Sequence, residues 1–173
     1  MITTALHREF ERVRLELSRA GVPVHVPWSL SVAEGSALVI TPASAGIDPL
    51  TFGDLVETTL HYADGRAARA PADADLHRAL YARGRHRAVL VCRPPYAMTL
   101  AAMQPVLKVG RKTVAVIEKE ALATHPRSFA GDEVLALKGC CVVVGSVDPA
   151  ACFDALQTLE SSCRASLPGL SRH

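Results

Sequence analysis

The sequence predicts an α/β fold in which a sheet is covered by helices on both faces. Its clearest strand is the apolar run Ala88–Cys92, which is continuous and does not alternate with polar residues. A run of that length and pattern is typical of a strand buried on both faces. Residues 3–20 and 149–166 carry apolar side chains at helical spacing, so each is predicted to form an amphipathic helix.

Shorter segments complete the predicted architecture. Glu34 and Gly35 predict the turn of one hairpin, and residues 138–140 predict the turn of another. Asp148 is predicted to cap the final helix. The remaining predicted strands are 29–32, 37–41, 56–62, 106–109, 113–117, 134–137 and 141–144, and the remaining predicted helices are 73–83, 95–103 and 118–123.

Length and composition indicate one domain, residues 1–173, with a frayed tail at 167–173. A chain of this size buries roughly 70% of its unfolded surface, so its core needs no disulfide to hold it together. Hydrophobic residues make up 49% of the chain and charged residues 21%, which is the balance of an ordinary globular domain.

Charge and residue content disfavour two classes of partner. The net charge of +2 is too small to indicate nucleic-acid binding, and the 5% aromatic content leaves few platforms on which bases stack. The densest basic run, residues 83–87, is interpreted as a solvated loop. No apolar run approaches the roughly 18 residues that a membrane span needs, so no membrane partner is expected.

The cysteines point to a reducing compartment. There are five of them, which is an odd number, and their spacing fits no paired disulfide scaffold. The N-terminal residues lack the apolar core of a signal peptide. Together these features favour a cytoplasmic protein.

Five segments follow one another in a recognisable order: VITPASAGID at 39–48, LTFGDLVE at 50–57, PADADLHRALY at 71–81, AVLVCRPPY at 88–96 and KGCCVVVG at 138–145. They resemble segments of the class II aldolase/adducin family, and the resemblance runs from about residue 5 to residue 160. It implies a central, mostly antiparallel sheet flanked by helices on both faces.

The metal ligands of that family are not found at the matching positions of this chain. In the family, two histidines of an HTH motif and one of an NHG motif hold a divalent metal ion. Here the HTH positions are Val91 and Arg93, and the NHG position is Lys138 or Gly139, depending on one gap. We therefore expect no cofactor, although zinc is the cofactor of the family.

The cysteines offer no evident substitute for those histidines. Cys92 is one residue away from the ligand positions, so its side chain is expected on the opposite face of the strand. Cys140 and Cys141 are adjacent and are expected to point apart if both lie in a strand. Buried cysteines that act as small hydrophobic residues are the simpler interpretation.

Three residues are candidates for catalysis: Asp73, Arg93 and Lys138. Asp73 precedes His77 by four residues, as the catalytic glutamate of the family precedes the same histidine; a plain helix N-cap is the alternative role. Arg93 and Lys138 are positioned to supply positive charge where the family has its metal, and a fixed cation can stabilise a developing enolate. The alternative for Arg93 is a side chain that extends to water at the strand end.

The resemblance also implies residues that bind substrate. The loop 41–46 is rich in small and hydroxyl residues, so its backbone N–H groups can hold an anion, although a plain turn is equally consistent. Trp28 replaces a family glycine and is interpreted as a core or interface residue. The substrate-binding candidates are Ser29, Thr41, Ser44, Gly46, His77 and Tyr96.

Two hypotheses for function remain open. The first is an aldolase-type carbon–carbon lyase, or a binding protein derived from one, that takes a small anionic hydroxy-carbonyl compound resembling a sugar phosphate and uses no metal. The second is a catalytically inactive aldolase-fold protein that serves as a binding or assembly module, as adducin does in this family. In either case the resemblance implies a homo-oligomer, with a tetramer favoured.

Overall fold

The structure is a computed structural model that describes residues 2–23, 25–46, 48–62, 64–84, 86–122, 124–125 and 132–167. The α-helices are α1 (Thr4–Arg19), α2 (Ala74–Arg83), α3 (Pro95–Met103) and α4 (Pro149–Ser166). The strands are β1 (Ser29–Glu34), β2 (Ala37–Ile40), β3 (Val56–Thr59), β4 (Ala88–Cys92), β5 (Val106–Val109), β6 (Lys112–Ile117), β7 (Glu133–Leu137) and β8 (Cys141–Ser146).

Within the described residues, eight strands form one sheet in the order β3-β2-β1-β4-β8-β7-β6-β5. Six of the neighbouring pairs are antiparallel, and β6 with β7 is the parallel pair. The prediction of a mostly antiparallel sheet is therefore confirmed. The central strand is β4, which lies between β1 and β8.

Helices cover both faces of this sheet, as predicted. Leu90 and Cys92 of β4 pack into a core formed with α1, α3 and α4. Val89 and Val91, which point the opposite way, pack into a second core under α2. The continuous apolar sequence of β4 is explained by this burial on both sides.

Two predicted elements are shorter in the structure by three residues, whereas the other shortened elements differ by one residue at one end or both. The strand predicted at 56–62 ends at Thr59, whose hydroxyl donates to the carbonyl of Tyr62 and closes a turn there. The helix predicted at 118–123 is a short 3-10 helix, Lys119–Ala121. Of the predicted tail, only Leu167 belongs to the described residues. None of the described helices combines the length and apolar character needed to cross a membrane.

Two residues of the basic run at 83–87, Arg83 and His86, differ from the predicted solvated loop; Arg85 lies outside the described residues, and Arg87 is exposed. Arg83 donates from Nε to Glu133 Oε1 over 2.7 Å, and His86 Nε2 lies 3.0 Å from Glu133 Oε2. All three side chains are buried, with at most 7% exposed. Burial alone would raise the pKa of Glu133, but the hydrogen bonds from His86 and Arg83 outweigh it and lower the pKa.

A carboxylate also fixes the start of α3. Glu160 of α4 accepts hydrogen bonds from the backbone N–H groups of Tyr96 and Ala97, each over 2.9 Å. These are donors that the first turn of a helix cannot satisfy internally. The contact ties α3 to α4 just after the chain leaves β4.

We predict that Glu133→Gln lowers the free energy of unfolding by about 3–5 kcal/mol, because it leaves the buried Arg83 without its counter-charge. Since the pKa of Glu133 is lowered on folding, its stabilising contribution is present above its unfolded pKa and is lost as the pH falls through the folded one. Urea unfolding between pH 3 and pH 7 measures both effects. Glu118→Gln is a matched control, because Glu118 pairs with Lys138 where both side chains are more than half exposed, so that pair should matter little.

Candidate functional site

The candidate site lies where the end of β4 meets the beginnings of β1 and β8. Ser29 of β1 pairs with Val91 of β4, and Cys92 pairs with Val142 of β8. Helix α2 covers the face of the sheet to which Val91 points. Side chains from three strands and one helix therefore meet at this end of the sheet.

The centre of the site is a hydrogen-bonded group of Asp73, Ser29 and His77. The Ser29 hydroxyl donates to Asp73 Oδ2 over 2.8 Å, and His77 Nε2 lies 2.7 Å from the same Ser29 oxygen. Ser29 and His77 are fully buried. The structure thus brings together three of the residues that the sequence singled out.

Two further members, Ser31 and Tyr81, were not predicted. Ser31 Oγ lies 2.7 Å from His77 Nδ1 and 2.9 Å from the Tyr81 hydroxyl oxygen. Spacing could have revealed both residues. Ser31 follows Ser29 by two positions in a strand and so shares its face. Tyr81 follows His77 by four positions in a helix, as His77 follows Asp73.

Burial sets the ionisation of this group. Burial raises the pKa of Asp73, while the hydrogen bond from Ser29 and the charge of Arg93 act against that rise. Burial lowers the pKa of His77 to about 3, so its imidazole is neutral at physiological pH. Asp73 Oδ1 is buried and has no hydrogen-bond partner among the described residues.

The capping hypothesis for Asp73 is corrected by this geometry. Asp73 occupies the N-cap position of α2, but its side chain makes no capping hydrogen bond. The carboxylate instead accepts from Ser29, which is 44 residues away in sequence. Its side chain is therefore joined to β1 and does not cap the start of α2.

Arg93 is held at the end of β4 by two backbone carbonyl groups. Its Nε donates to Cys140 O over 2.8 Å, and its Nη1 donates to Pro27 O over 2.9 Å. The side chain is half-buried and is fixed by these bonds, whereas the alternative from the sequence was an extension into water. Within the described residues, its Nη2 donates no hydrogen bond to the protein.

Lys138 lies in different surroundings. Its Nζ is 3.6 Å from Glu118 Oε1, and both side chains are more than half exposed. It lines a cavity of about 320 Å³ together with residues 101–105 at the end of α3. Its assignment to catalysis stays a prediction, and these contacts do not link it to Asp73.

The other substrate-binding candidates are spread over the molecule. Thr41 is fully buried, and its Oγ1 accepts from the Leu30 N–H over 3.3 Å. Ser44 is exposed in the loop that follows β2, and Gly46 is half-exposed there. Tyr96 packs on the α4 side of the sheet, with the guanidinium carbon of Arg164 5.7 Å from its ring centroid.

Trp28 is a buried residue, with 2% of its surface exposed. It packs in the core shared by α1, α3 and α4, on the side of the sheet away from His77. This position agrees with its interpretation as a core residue.

The residues at the family's three metal-ligand positions do not fit a divalent ion. Val91 is apolar and 2% exposed, and the third position is either Lys138, a basic residue, or Gly139, which has no side chain. Arg93 is a permanent cation, which repels a metal ion and has no lone pair to offer it. Among the described residues there is no group of three or more His, Cys, Asp or Glu side chains arranged to hold a metal.

Cys140 and Cys141 were expected to point apart only if both lay in a strand, and the structure does not meet that condition. Their sulfur atoms are 3.5 Å apart, because Cys140 lies in the turn and only Cys141 belongs to β8. Burial raises the pKa of the Cys141 thiol, so it stays protonated and is a poor metal ligand. Cys92 packs in the core on the other face, as expected.

Comparisons with known proteins agree with this architecture. L-fuculose-1-phosphate aldolase from Thermus thermophilus superposes with a TM-score of 0.79 at 20% identity, covering 96% of this chain and 97% of that one. YgbL from Klebsiella pneumoniae gives a TM-score of 0.79 at 19% identity over 100% and 93% of the two chains. An aldolase II superfamily protein from Pseudomonas syringae gives 0.72 at 16% over 95% and 75%. At these identities the likeness establishes the fold alone.

Sequence comparison identifies the family. A search of curated proteins finds no match. The family model described as "Class II Aldolase and Adducin N-terminal domain" matches residues 16–167, which is most of the chain. The chain therefore belongs to the class II aldolase and adducin family.

Proposed function

We propose that this protein binds and acts on a small anionic hydroxy-carbonyl compound at Asp73 and Arg93, without a metal ion. The observation that carries the proposal is the buried Asp73 carboxyl, whose Oδ1 has no partner among the described residues and which is close enough to Arg93 to feel its charge. L-fuculose 1-phosphate, for which one structural neighbour is named, is a compound of this class.

Arg93 is suited to the role of anion binder. A guanidinium keeps its charge at any physiological pH and presents its donors in a rigid fork. Two backbone carbonyls already fix its orientation, so little freedom is lost when Nη2 binds a carboxylate or phosphate oxygen. A fixed cation also stabilises negative charge that develops on an enolate oxygen, though less than a divalent ion that coordinates two oxygens.

Asp73 is suited to proton transfer. Because burial raises its pKa, the carboxyl holds a proton more readily than an exposed aspartate does. A group with such a shifted pKa can take a proton from a bound substrate and return it. If the protein is active, the reaction expected from its family is aldolase-type carbon–carbon bond cleavage.

The second candidate is a catalytically inactive binding or assembly module. Two observations favour it: Val91 fills one former ligand position, and Arg93 joins the chain before β1 to the turn before β8. Both residues stabilise the fold at positions where other members of the family hold the metal. This candidate predicts a stable fold that responds to no small anion.

We predict that the purified protein contains less than stoichiometric zinc, since Val91, Arg93 and either Lys138 or Gly139 stand where the family has its three ligand histidines. Inductively coupled plasma mass spectrometry of protein purified without chelator measures this. About one zinc per chain, lost in Cys140→Ser, would show that the turn cysteines have rebuilt a site.

We predict that phosphate, sulfate and L-fuculose 1-phosphate raise the melting temperature. A ligand at 100 times its Kd stabilises the folded state by about 2.7 kcal/mol. Arg93→Ala should lose this gain, and it should also be less stable without ligand by roughly 2 kcal/mol, because two hydrogen bonds from a charged group disappear. Differential scanning calorimetry with increasing ligand gives both quantities.

Arg111→Ala is the matched control, because it removes the same charge from an exposed position in the turn between β5 and β6. The shift should persist in that variant.

Sulfate titrations at several pH values are a second test of the same site. Sulfate binding should weaken as the pH rises through the raised pKa of Asp73, and Asp73→Asn should remove that pH dependence. No shift with any anion, or a shift that survives in Arg93→Ala, would favour the inactive module.

We also propose a homo-oligomer, most simply a tetramer, in a cytoplasmic setting. Large apolar side chains are exposed at Tyr62, Met103 and Val147, where contacts between copies can cover them. All five cysteines are free, which fits a reducing compartment. Light scattering at micromolar concentration is expected to give four times the chain mass, and a monomer there would contradict the proposal.

A further inference from the structure

We propose that His77 is a positioning residue. Its ring carries hydrogen on Nε2, and this tautomer makes a chain of hydrogen bonds run from Tyr81 to Asp73. The chain thereby keeps the exchangeable proton of Asp73 on Oδ1. The chain passes through Ser31 and Ser29, and every link is between 2.7 and 2.9 Å. The inference deepens the role of the site proposed above, and its use in proton transfer rests on that proposed function.

The first step follows from the single hydrogen on the Ser29 hydroxyl. Ser29 donates it to Asp73 Oδ2, so it has none left for His77. At the 2.7 Å contact with His77 Nε2, the Ser29 oxygen must therefore accept. Nε2 is then the nitrogen that carries the proton.

The second step follows from the neutrality of His77. Burial lowers its pKa to about 3, and the nearby Arg78 charge acts in the same direction, so the ring carries one N–H only. Nδ1 must then accept, and the Ser31 hydroxyl donates to it over 2.7 Å. Ser31 in turn accepts from the Tyr81 hydroxyl over 2.9 Å.

The reverse direction leaves a buried donor unmatched. If Asp73 donated from Oδ2, every link would invert and Ser31 would donate to Tyr81. The Tyr81 hydroxyl hydrogen would then have no acceptor among the described residues, although the side chain is only 8% exposed. Because buried O–H groups are seldom left without a partner, the chain runs toward Asp73.

This direction determines where Asp73 can be protonated. Oδ2 is occupied as an acceptor, so an added proton goes to Oδ1. Oδ1 lies 4.0 Å from His77 Nε2, which is too far for a hydrogen bond, and it has no other partner in the described part of the chain. The chain thus leaves Oδ1, a buried atom, as the carboxyl oxygen without a hydrogen-bond partner among the described residues.

Charged and titratable groups from several elements surround Asp73 and His77. Arg93 at the end of β4 and Lys119 in the short 3-10 helix both favour ionised Asp73. Cys141 of β8 interacts with Asp73 as well, but its thiol stays neutral. The hydrogen bond from Ser29 favours ionised Asp73 more than either cation does, so the Ser29 link should be visible in the Asp73 titration.

The first measurement is ¹⁵N NMR of the histidine side chains in the ligand-free protein, with the His77 signals identified by their loss in His77→Gln. We expect a neutral ring with hydrogen on Nε2 and none on Nδ1 at every pH from 5 to 9. A proton on Nδ1, or a titration of His77 in that range, would overturn the inference.

The second measurement is the pKa of the Asp73 carboxyl by ¹³C NMR in three variants. Ser29→Ala removes the donor to Oδ2, so the pKa should rise above its value in the unmodified protein. Ser29→Thr keeps a hydroxyl and should restore it. Ser36→Ala, at an exposed position of the turn between β1 and β2, should leave it unchanged. An unchanged Asp73 pKa in Ser29→Ala would also overturn the inference.

These measurements separate the two proposals. Neither needs a ligand, so a failed anion titration with the expected His77 tautomer would refute the proposed function and leave the chain intact. If the protein binds anions but His77 carries its proton on Nδ1, the proposed function stands and the hydrogen-bond chain is refuted.

Discussion

The site depends on one constraint: polar groups between α2 and the sheet must find partners within the protein. His77 is fully buried in that layer, and its two ring nitrogens are matched by two serines on a neighbouring strand. An unpaired buried imidazole would cost free energy comparable to a lost hydrogen bond. The pairing fixes the face that α2 presents, and it thereby places Asp73 at the end of the sheet.

The same constraint explains how a cation is tolerated where the family binds a metal. Arg93 extends a strand that is buried on both faces, yet the carbonyl groups of Pro27 and Cys140 meet its guanidinium. These carbonyls flank β4 on either side, from the segment before β1 and from the turn before β8. The Arg93 guanidinium thus links the segment before β1 to the turn before β8, at a position where other members of the family have a metal-binding histidine.

The sequence revealed the local features of the fold well, because they depend on near neighbours. The limits of β4, α3 and α4 follow from apolar runs and prolines. The proximity of Asp73 to His77 follows from their helical spacing of four residues. Spacing could have singled out Ser31 and Tyr81 as residues, but the contacts of Ser31 with His77 and Tyr81 span 46 and 50 residues, so no local pattern shows which side chains pair. The burial of Arg83 likewise depends on Glu133, which is 50 residues away.

The unmatched oxygen of Asp73 distinguishes a binding site from a purely structural network. Three buried side-chain atoms have no partner among the described residues: Trp28 Nε1, Arg78 Nη2 and Asp73 Oδ1. The first two are N–H donors, whereas the third is a carboxyl oxygen. Asp73 Oδ1 belongs to a carboxyl whose pKa burial raises, so on protonation it becomes a donor in need of an acceptor. A network selected only for stability has no use for such an atom, because each unsatisfied buried group is destabilising. In the function proposed above, an oxygen-rich ligand held by Arg93 would supply that acceptor, and this is the reason for preferring the binding hypothesis to the inactive module.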